Sequence, residues 1–403
     1  MFKTITKSSL FLMLSLTALN ATKSYVTQSH NLKGDMLIAP LYVANSEICS
    51  NIKVMNTNEF SSILAKVAIR ESIASHEVDF PIMLSPGDVW EGNICDVAGE
   101  IVLTSNDDSN HPSALKMMKN GINLAGHSEI TSYRENDYNK GYVELNGKPF
   151  KLEEVQKENL DYSRGYVEVY PIAQYDEKSK KKVDKKVLLE RWERLIENDT
   201  SDPKLRKDGV DEESLSGLIS YNTEDHETSA LPMYAFKNTH NYQRSGDDIY
   251  FTSDSNPDKL IGKDNKIKIL KLLQKKQTSF TYDKAGADQF IYITYPFSYK
   301  EKQSRKYKLI IRDMCENKFE MVFSPIFIMH REVACISVEE LIKLTKDNIK
   351  FEKGMIQIKD LTNNDEVQLG KDNAPSVIPV ITRISKIGDK LILINANNLP
   401  TTK

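Results

Sequence analysis

Apolar and polar side chains alternate from Ser62 to Arg70: Ile63, Ala65, Val67 and Ile69 fall on one side, Ser62, Lys66 and Arg70 on the other. Val78, Phe80, Ile82 and Leu84 repeat the pattern, with Asp79 and Pro81 opposite. A period of two marks a half-buried strand, because successive side chains point to opposite faces. Pro81 has no N–H to give a ladder, which predicts a sheet edge or a bulge there. Arg70 and Asp79 are placed to pair across the two strands. The tetrad Ser85-Pro86-Gly87-Asp88 follows. Proline presets φ at the second position and glycine accepts a positive φ at the third, the chemistry of a type II turn. Asp88 is placed to bind turn amides, and Trp90, on the returning strand, to fill the core.

The middle of the chain changes character. A lysine-rich run, Lys178 to Lys186, leads into Val187, Leu188, Trp192, Leu195 and Ile196 at helical spacing. This reads as a charged linker and an amphipathic helix inserted between β regions. Glu190, Glu193 and Glu197 dilute the positive charge, so a solvated face with Trp192 packed on the body is expected rather than a membrane or polyanion contact. Beyond it, strands are expected at Gln289–Tyr295, Tyr307–Arg312, Lys318–Phe323, Val377–Ile384 and Lys390–Ile394, with a short helix at Val338–Lys346. Short strands between such turns predict a mainly β fold of two β-sandwich (Ig-like) regions with a small helical insertion. The expected divisions are a signal peptide at 1–24, an N-terminal sandwich at 25–175, the linker and helix at 176–230, and a C-terminal β-rich domain at 231–403.

The signal peptide rests on Lys3 and Lys7, the apolar stretch Leu10–Leu16, and small or polar residues up to Ala21. Cleavage after Ala21 leaves Leu19 at the −3 position, so a cut after Ser24 stays open. No later apolar run reaches the length that crosses a bilayer, so no transmembrane segment is expected after cleavage. The destination is the periplasm, the cell surface or the exterior. Four cysteines, Cys49, Cys95, Cys315 and Cys335, suit an oxidising compartment and allow three disulfide connectivities. Local pairing, Cys49–Cys95 and Cys315–Cys335, is preferred because each pair lies within one expected sheet region. The 403 residues carry 54 Lys+Arg against 57 Asp+Glu, a mild acidity that argues against nucleic acid as partner.

Candidate chemistry is sparse. The histidines at 30, 76, 111, 127, 226, 240 and 330 show no metal-ligand spacing. There is no G-x-S-x-G elbow and no phosphate-cradling glycine pattern. Asp254, Asn256 and Asp258 place oxygen side chains at alternate positions, as a calcium loop begins. Lys259 and Asn265 stand where an EF-hand needs Gly and Glu, which excludes that motif but leaves a looser calcium site. Asn106-Asp107-Asp108 is a second such stretch, and ordinary turns use the same residues. No other cofactor is implied.

The segment Val67 to Phe80, with Leu84-Ser-Pro-Gly-Asp-Val-Trp90, resembles an uncharacterised family of exported bacterial surface proteins that carry a Leu-Ser-Pro-x-Asp-Val-Trp turn. Gly165-Tyr-Val-Glu-Val169 and Tyr292–Phe297 are similar to its later segments, and the lysine-rich run departs from it. The resemblance implies export and a β-rich build and transfers no catalytic residue.

These features point to an exported, non-enzymatic envelope or surface protein with a structural or adhesive role and envelope or extracellular partners. One rival is a periplasmic carbohydrate-binding or carbohydrate-active protein, which needs an aromatic-lined cleft with facing carboxylates. A second is a subunit of a self-associating surface assembly, which needs exposed sheet edges. The sequence sets no oligomeric state.

Overall fold

The computed structural model describes residues 25–73, 77–124, 161–196, 199, 201–206, 209–223, 228–239, 258–273, 277–283, 289–294, 296, 307–323, 333–343, 345, 353–360, 380–387 and 390–395. The expected signal peptide therefore lies outside the described residues.

In chain order the first strands are β1 (Thr27–Gln28), β2 (Lys33–Gly34), β3 (Met36–Val43), β4 (Ile48–Asn56), β5 (Ser61–Glu71), β6 (Glu77–Leu84), β7 (Val89–Val97) and β8 (Glu100–Thr104). Helix α1 (Pro112–Asn120), β9 (Ile122–Asn123), β10 (Arg164–Asp176), helix α2 (Lys185–Ile196), β11 (Leu215–Thr223), β12 (Thr228–Pro232) and β13 (Tyr234–Lys237) follow. Sheet I has the order β1-β13-β3-β10-β5-β6; sheet II has the order β12-β11-β4-β7-β8-β9, with β2 also on β11. Every described pairing is antiparallel.

The two sheets face one another across a shared core. Ile63, Ala65, Val67 and Ile69 of β5 and Val78, Phe80, Ile82 and Leu84 of β6 meet Ile52, Val54, Trp90, Ile94 and Ile219 of sheet II. The alternation places these strands correctly, and β6, with Pro81, is an edge of sheet I. Gly87 has φ +72° and the Asp88 N–H donates to the Ser85 carbonyl at 3.0 Å, as the turn residues require. The turn does not make a hairpin, however. β7 pairs with β4 and β8, so Ser85–Asp88 carries the chain from one layer to the other.

Sheet I is clad on its outer face as well. Leu188, Trp192 and Leu195 of α2 pack on Leu64, Met83, Ala173 and Tyr175. A π-helical turn (Asp258–Gly262) and helix α3 (Lys263–Leu273) place Leu260, Ile261, Ile269, Leu270 and Leu273 on Met36, Ile38, Ala68, Tyr170, Tyr234 and Phe236. This explains why β3, β5 and nearly all of β6 and β10 are buried on both sides.

The remaining strands are β14 (Gln277–Asp283), β15 (Gln289–Thr294), β16 (Tyr307–Asp313), β17 (Lys318–Phe323), β18 (Val333–Ser337), β19 (Lys353–Asp360), β20 (Val380–Ile387) and β21 (Lys390–Asn395), with helix α4 (Val338–Lys343) after β18. Sheet III is β14-β19-β16-β17 and sheet IV is β18-β15-β20-β21. Tyr282, Leu309, Ile311, Ile356 and Ile358 of sheet III bury against Ile291 of sheet IV and against α4. Tyr292 and Val333 join the core of the first sandwich, and the Thr294 hydroxyl donates to the Pro40 carbonyl at 2.6 Å. The protein is thus mainly β, built as two sandwiches. Among the described residues no helix is long and apolar enough to cross a membrane.

Two expectations need correction. Residues 176–230 are expected as linker and helix and 231–403 as a C-terminal domain, but β11, β12 and β13 lie across that boundary and complete sheets I and II, so the first sandwich reaches Lys237. The expected Cys315–Cys335 bridge is absent: Cys315 is free and exposed in the turn after β16, whereas Cys335 lies on β18 in the other sheet. The bridge present, Cys49–Cys95, joins adjacent strands β4 and β7 at a Cα separation of 4.5 Å. It staples one sheet internally, unlike the inter-sheet disulfide of antibody domains.

Trp192 is 1% exposed and is the largest apolar side chain of its cluster. Trp192→Ala should destabilise the protein by about 3–5 kcal/mol, read as a lower urea midpoint, with the far-UV strand signal of the folded state unchanged.

Candidate functional site

The polar positions of β5 do not meet water. Lys66 and Arg70 are 3% and 1% exposed, and Asp79 and Glu168 are fully buried. The register explains their grouping. Ala68 stands opposite Glu168 on one side and Asp79 on the other, with Lys66 and Arg70 two residues before and after it on its own strand. The small Ala68 side chain is therefore ringed by two cations and two anions. Lys66 pairs with Asp79 at 2.7 Å, and Arg70 reaches both Glu168 and Glu77. The expected Arg70–Asp79 pair is replaced by these partners, because Asp79 lies level with Ala68 and Arg70 level with Glu77. The Tyr170 hydroxyl donates to Glu168 at 2.6 Å. Burial pushes the Glu168 carboxyl up, and Arg70 and Tyr170 pull it back only in part. Burial alone would weaken the Arg70 guanidinium's hold on its proton, but Glu168 and Glu77 more than offset this. The band is a structural brace: each charge is matched within the sheet, between the footprints of α2 and α3.

The turn residues brace the same layer. The Asp88 carboxylate accepts from the Ser85 N–H and hydroxyl at 3.3 and 3.1 Å and from the ammonium of Lys185. That ammonium also donates to the Met83 carbonyl and the Ser109 hydroxyl, each at 3.0 Å. Burial would raise the Asp88 carboxyl, and Lys185 outweighs it, leaving the carboxyl below its ordinary value. Pro86, Gly87 and Asp88 thereby fix the start of α2. Trp90 is fully buried, 5.3 Å from the Phe80 ring, and its indole N–H donates to Asn110 at 2.7 Å. Its ring lies over Gly92, where a Cβ would come within 2.5 Å. The lysine run is similarly engaged: Lys180 pairs with Glu59, Lys182 with Asp88 at 3.9 Å, and Lys186 with Glu190 at 4.0 Å.

Of the calcium candidates, Asp254 and Asn256 lie outside the described residues, and Asp258 is the first residue of the π-helical turn. Asp107 accepts the Ser109 N–H at 2.8 Å, and Asp108 faces Lys185 at 3.7 Å. Among the described residues no three His, Cys, Asp or Glu side chains gather as a metal site.

The outer face of sheet II is different, and sequence reasoning did not single it out. Lys53 and Glu91, paired across β4 and β7 at 3.4 Å, are both nearly half exposed. Beside them Asn51 donates to Glu91 at 2.7 Å and to Asn93 at 2.8 Å. Met55, Val89 and Leu218 are 39%, 37% and 37% exposed around this grid, and the Cys49–Cys95 bridge closes its far end. In the register, Met55 is opposite Val89 and Leu218 is opposite Lys53. The result is a surface of hydrogen-bonded amides and charges with an apolar corner. The weaker sequence signal for it was the apolar residues Met55, Val89 and Leu218 on polar-face positions.

Two measurements follow from the buried groups. Asp79→Leu alone leaves Lys66 without its 2.7 Å partner in a buried site and should cost about 3–5 kcal/mol, while Lys66→Met combined with Asp79→Leu should recover most of it; chemical denaturation of both variants compares them. His111 is 9% exposed and stands edge-on to Trp192 at 5.3 Å. Burial lowers its pKa below the ordinary 6.5, with Glu193 pulling the other way. The folded state therefore resists a proton that the unfolded chain accepts. This contribution to stability is complete above pH 6.5 and is lost as pH falls through the folded value. The stability difference between the native chain and His111→Phe should shift against the native chain over that interval, as followed by urea midpoints at successive pH values.

No protein-family model, no curated protein and no solved structure matches this chain.

Proposed function

We propose that this is an exported, non-enzymatic protein of the cell envelope or exterior, with a structural or adhesive role, and that the outer face of sheet II is its contact surface. The observation that carries this reading is the asymmetry of the first sandwich. Sheet I is covered on both faces, by the core and by α2 and α3, whereas sheet II keeps Lys53, Glu91, Met55, Val89 and Leu218 at the surface. A surface whose polar side chains already pair with one another suits contact with a large partner, because less side-chain freedom remains to be lost on binding.

Export is supported by the charged, apolar and small-residue order of the first 21 residues and by the Cys49–Cys95 bridge, which suits an oxidising compartment. The resemblance to exported surface proteins agrees with both. The sugar-binding alternative draws less support. Among the described residues, the two aromatics most open to solvent, Tyr25 and Phe60, each carry a lysine over the ring, Lys268 at 5.8 Å and Lys180 at 5.4 Å.

Expression of the full-length chain, with N-terminal sequencing of the exported material, should find a start at Thr22 or Tyr25. Recovery of only uncut precursor inside the cell would defeat the export reading. The mature chain should be retained by an isolated envelope fraction, and Met55→Asp with Leu218→Asp should lower that retention about tenfold, a loss of 1.4 kcal/mol, at an unchanged urea midpoint. Equal retention of the variant would remove sheet II as the contact surface.

A further inference from the structure

The edges of the four sheets are not treated alike. β1 and β9 are only two residues long. β6 carries Pro81, and its Met83 N–H donates to the Ser109 carbonyl while Lys185 covers the Met83 carbonyl. β12 ends on Pro232 and runs beside β21. β17 places Lys318 and Glu320 on its outer side, paired with each other. β18 gives its Val333 N–H to the Ser72 carbonyl and leads directly into α4. Shortness, proline, charge and cover are the devices by which native sheets avoid joining to other chains.

Among the described residues β14 has no such cover, and it is neither short nor proline-bearing. It runs for seven residues, Gln-Thr-Ser-Phe-Thr-Tyr-Asp, with no proline and no charge before Asp283. Its register with β19 is unbroken from Gln277 to Asp283, and among the described residues no strand takes its other side. Ser279 and Thr281 are exposed on the outer face of the sheet, and Tyr282 is buried in the core.

We propose that β14 is an association surface for a second copy of this chain, the two β14 strands pairing antiparallel so that sheet III continues across a two-fold axis. The strand's own sequence favours a copy of itself. Only one antiparallel register pairs all seven residues, and it is centred on Phe280. That register sets Phe280 opposite Phe280, Thr278 opposite Tyr282, Ser279 opposite Thr281 and Gln277 opposite Asp283. Uncharged residues, most of them β-formers, thus stand opposite uncharged residues, and the one acidic position falls opposite a glutamine rather than another acid. An isologous pairing of this kind closes as a dimer and leaves no free β14 for further growth. The proposal goes beyond the contact surface of sheet II and does not depend on it.

Sedimentation of the mature chain at micromolar to about 100 µM tests it with two double variants. Ser279→Lys with Thr281→Lys puts lysine opposite lysine twice across the axis and should weaken the dimer about tenfold or more. Ser279→Lys with Thr281→Glu makes the same two positions opposite in charge and should keep the dimer. Both positions are exposed, so circular dichroism should report the same fold for all three proteins. A native chain that stays monomeric over the range overturns the proposal. So does a double-lysine variant as dimeric as the native chain, or a lysine–glutamate variant as weak as the double-lysine one.

Discussion

Sheet I has no face left for solvent, and most of the structure answers to that constraint. A strand buried on both sides must carry apolar residues throughout or match every polar group it buries, since an unpaired buried charge costs several kcal/mol. β5 takes the second route at Lys66 and Arg70, and the acids that match them come from both of its neighbours, β6 and β10. The matching works only in one register. A shift of β5 by one residue would turn Lys66 and Arg70 into the apolar core, bring Val67 and Ile69 outward and leave Asp79 and Glu168 unmatched. The charged band thus holds three strands in alignment while the two helices close over the apolar ground on either side.

Much of this architecture could be read along the chain. The inward faces of β5 and β6 follow their alternation, Pro81 marks a true edge, and β15, β16, β17, β20 and β21 fall close to where β-forming residues cluster, whereas β18 and β19 are not singled out by their sequence. What could not be read was the environment of the other face. Alternation reports that Ser62, Lys66 and Arg70 share a side, but water and an opposing ring of carboxylates are equally polar neighbours. The covering helices, α2 and α3, lie more than a hundred residues further on, so the pattern of β5 itself carries no trace of what covers it. The domain boundary failed for a related reason. The lysine run looks like a linker, yet the chain beyond it returns to supply β11 beside β4, a pairing between residues more than 150 apart. The candidate surface on sheet II was hidden because single exposed apolar residues are ordinary, and only the register brings Met55, Val89 and Leu218 together.

The turn after β6 shows how a dense motif arises from structure alone. Pro86 and Gly87 set its shape, Asp88 ties its two ends, and the same carboxylate receives Lys185 from the first turn of α2. Trp90 then enters the core within two residues of the turn. A single tetrad thereby connects both layers and a helix.

The Cys49–Cys95 bridge encloses a stretch of chain with a particular content. Between the two sulfurs, across a sequence separation of 46, lie most of β4, the whole of the β5–β6 hairpin and most of β7. Once oxidised, a chain that has lost all its packing still keeps these four strands on one closed ring, two from each layer. That ring already holds pieces of both sheets, and β10 and β11 take the places beside β5 and β4 on its flanks.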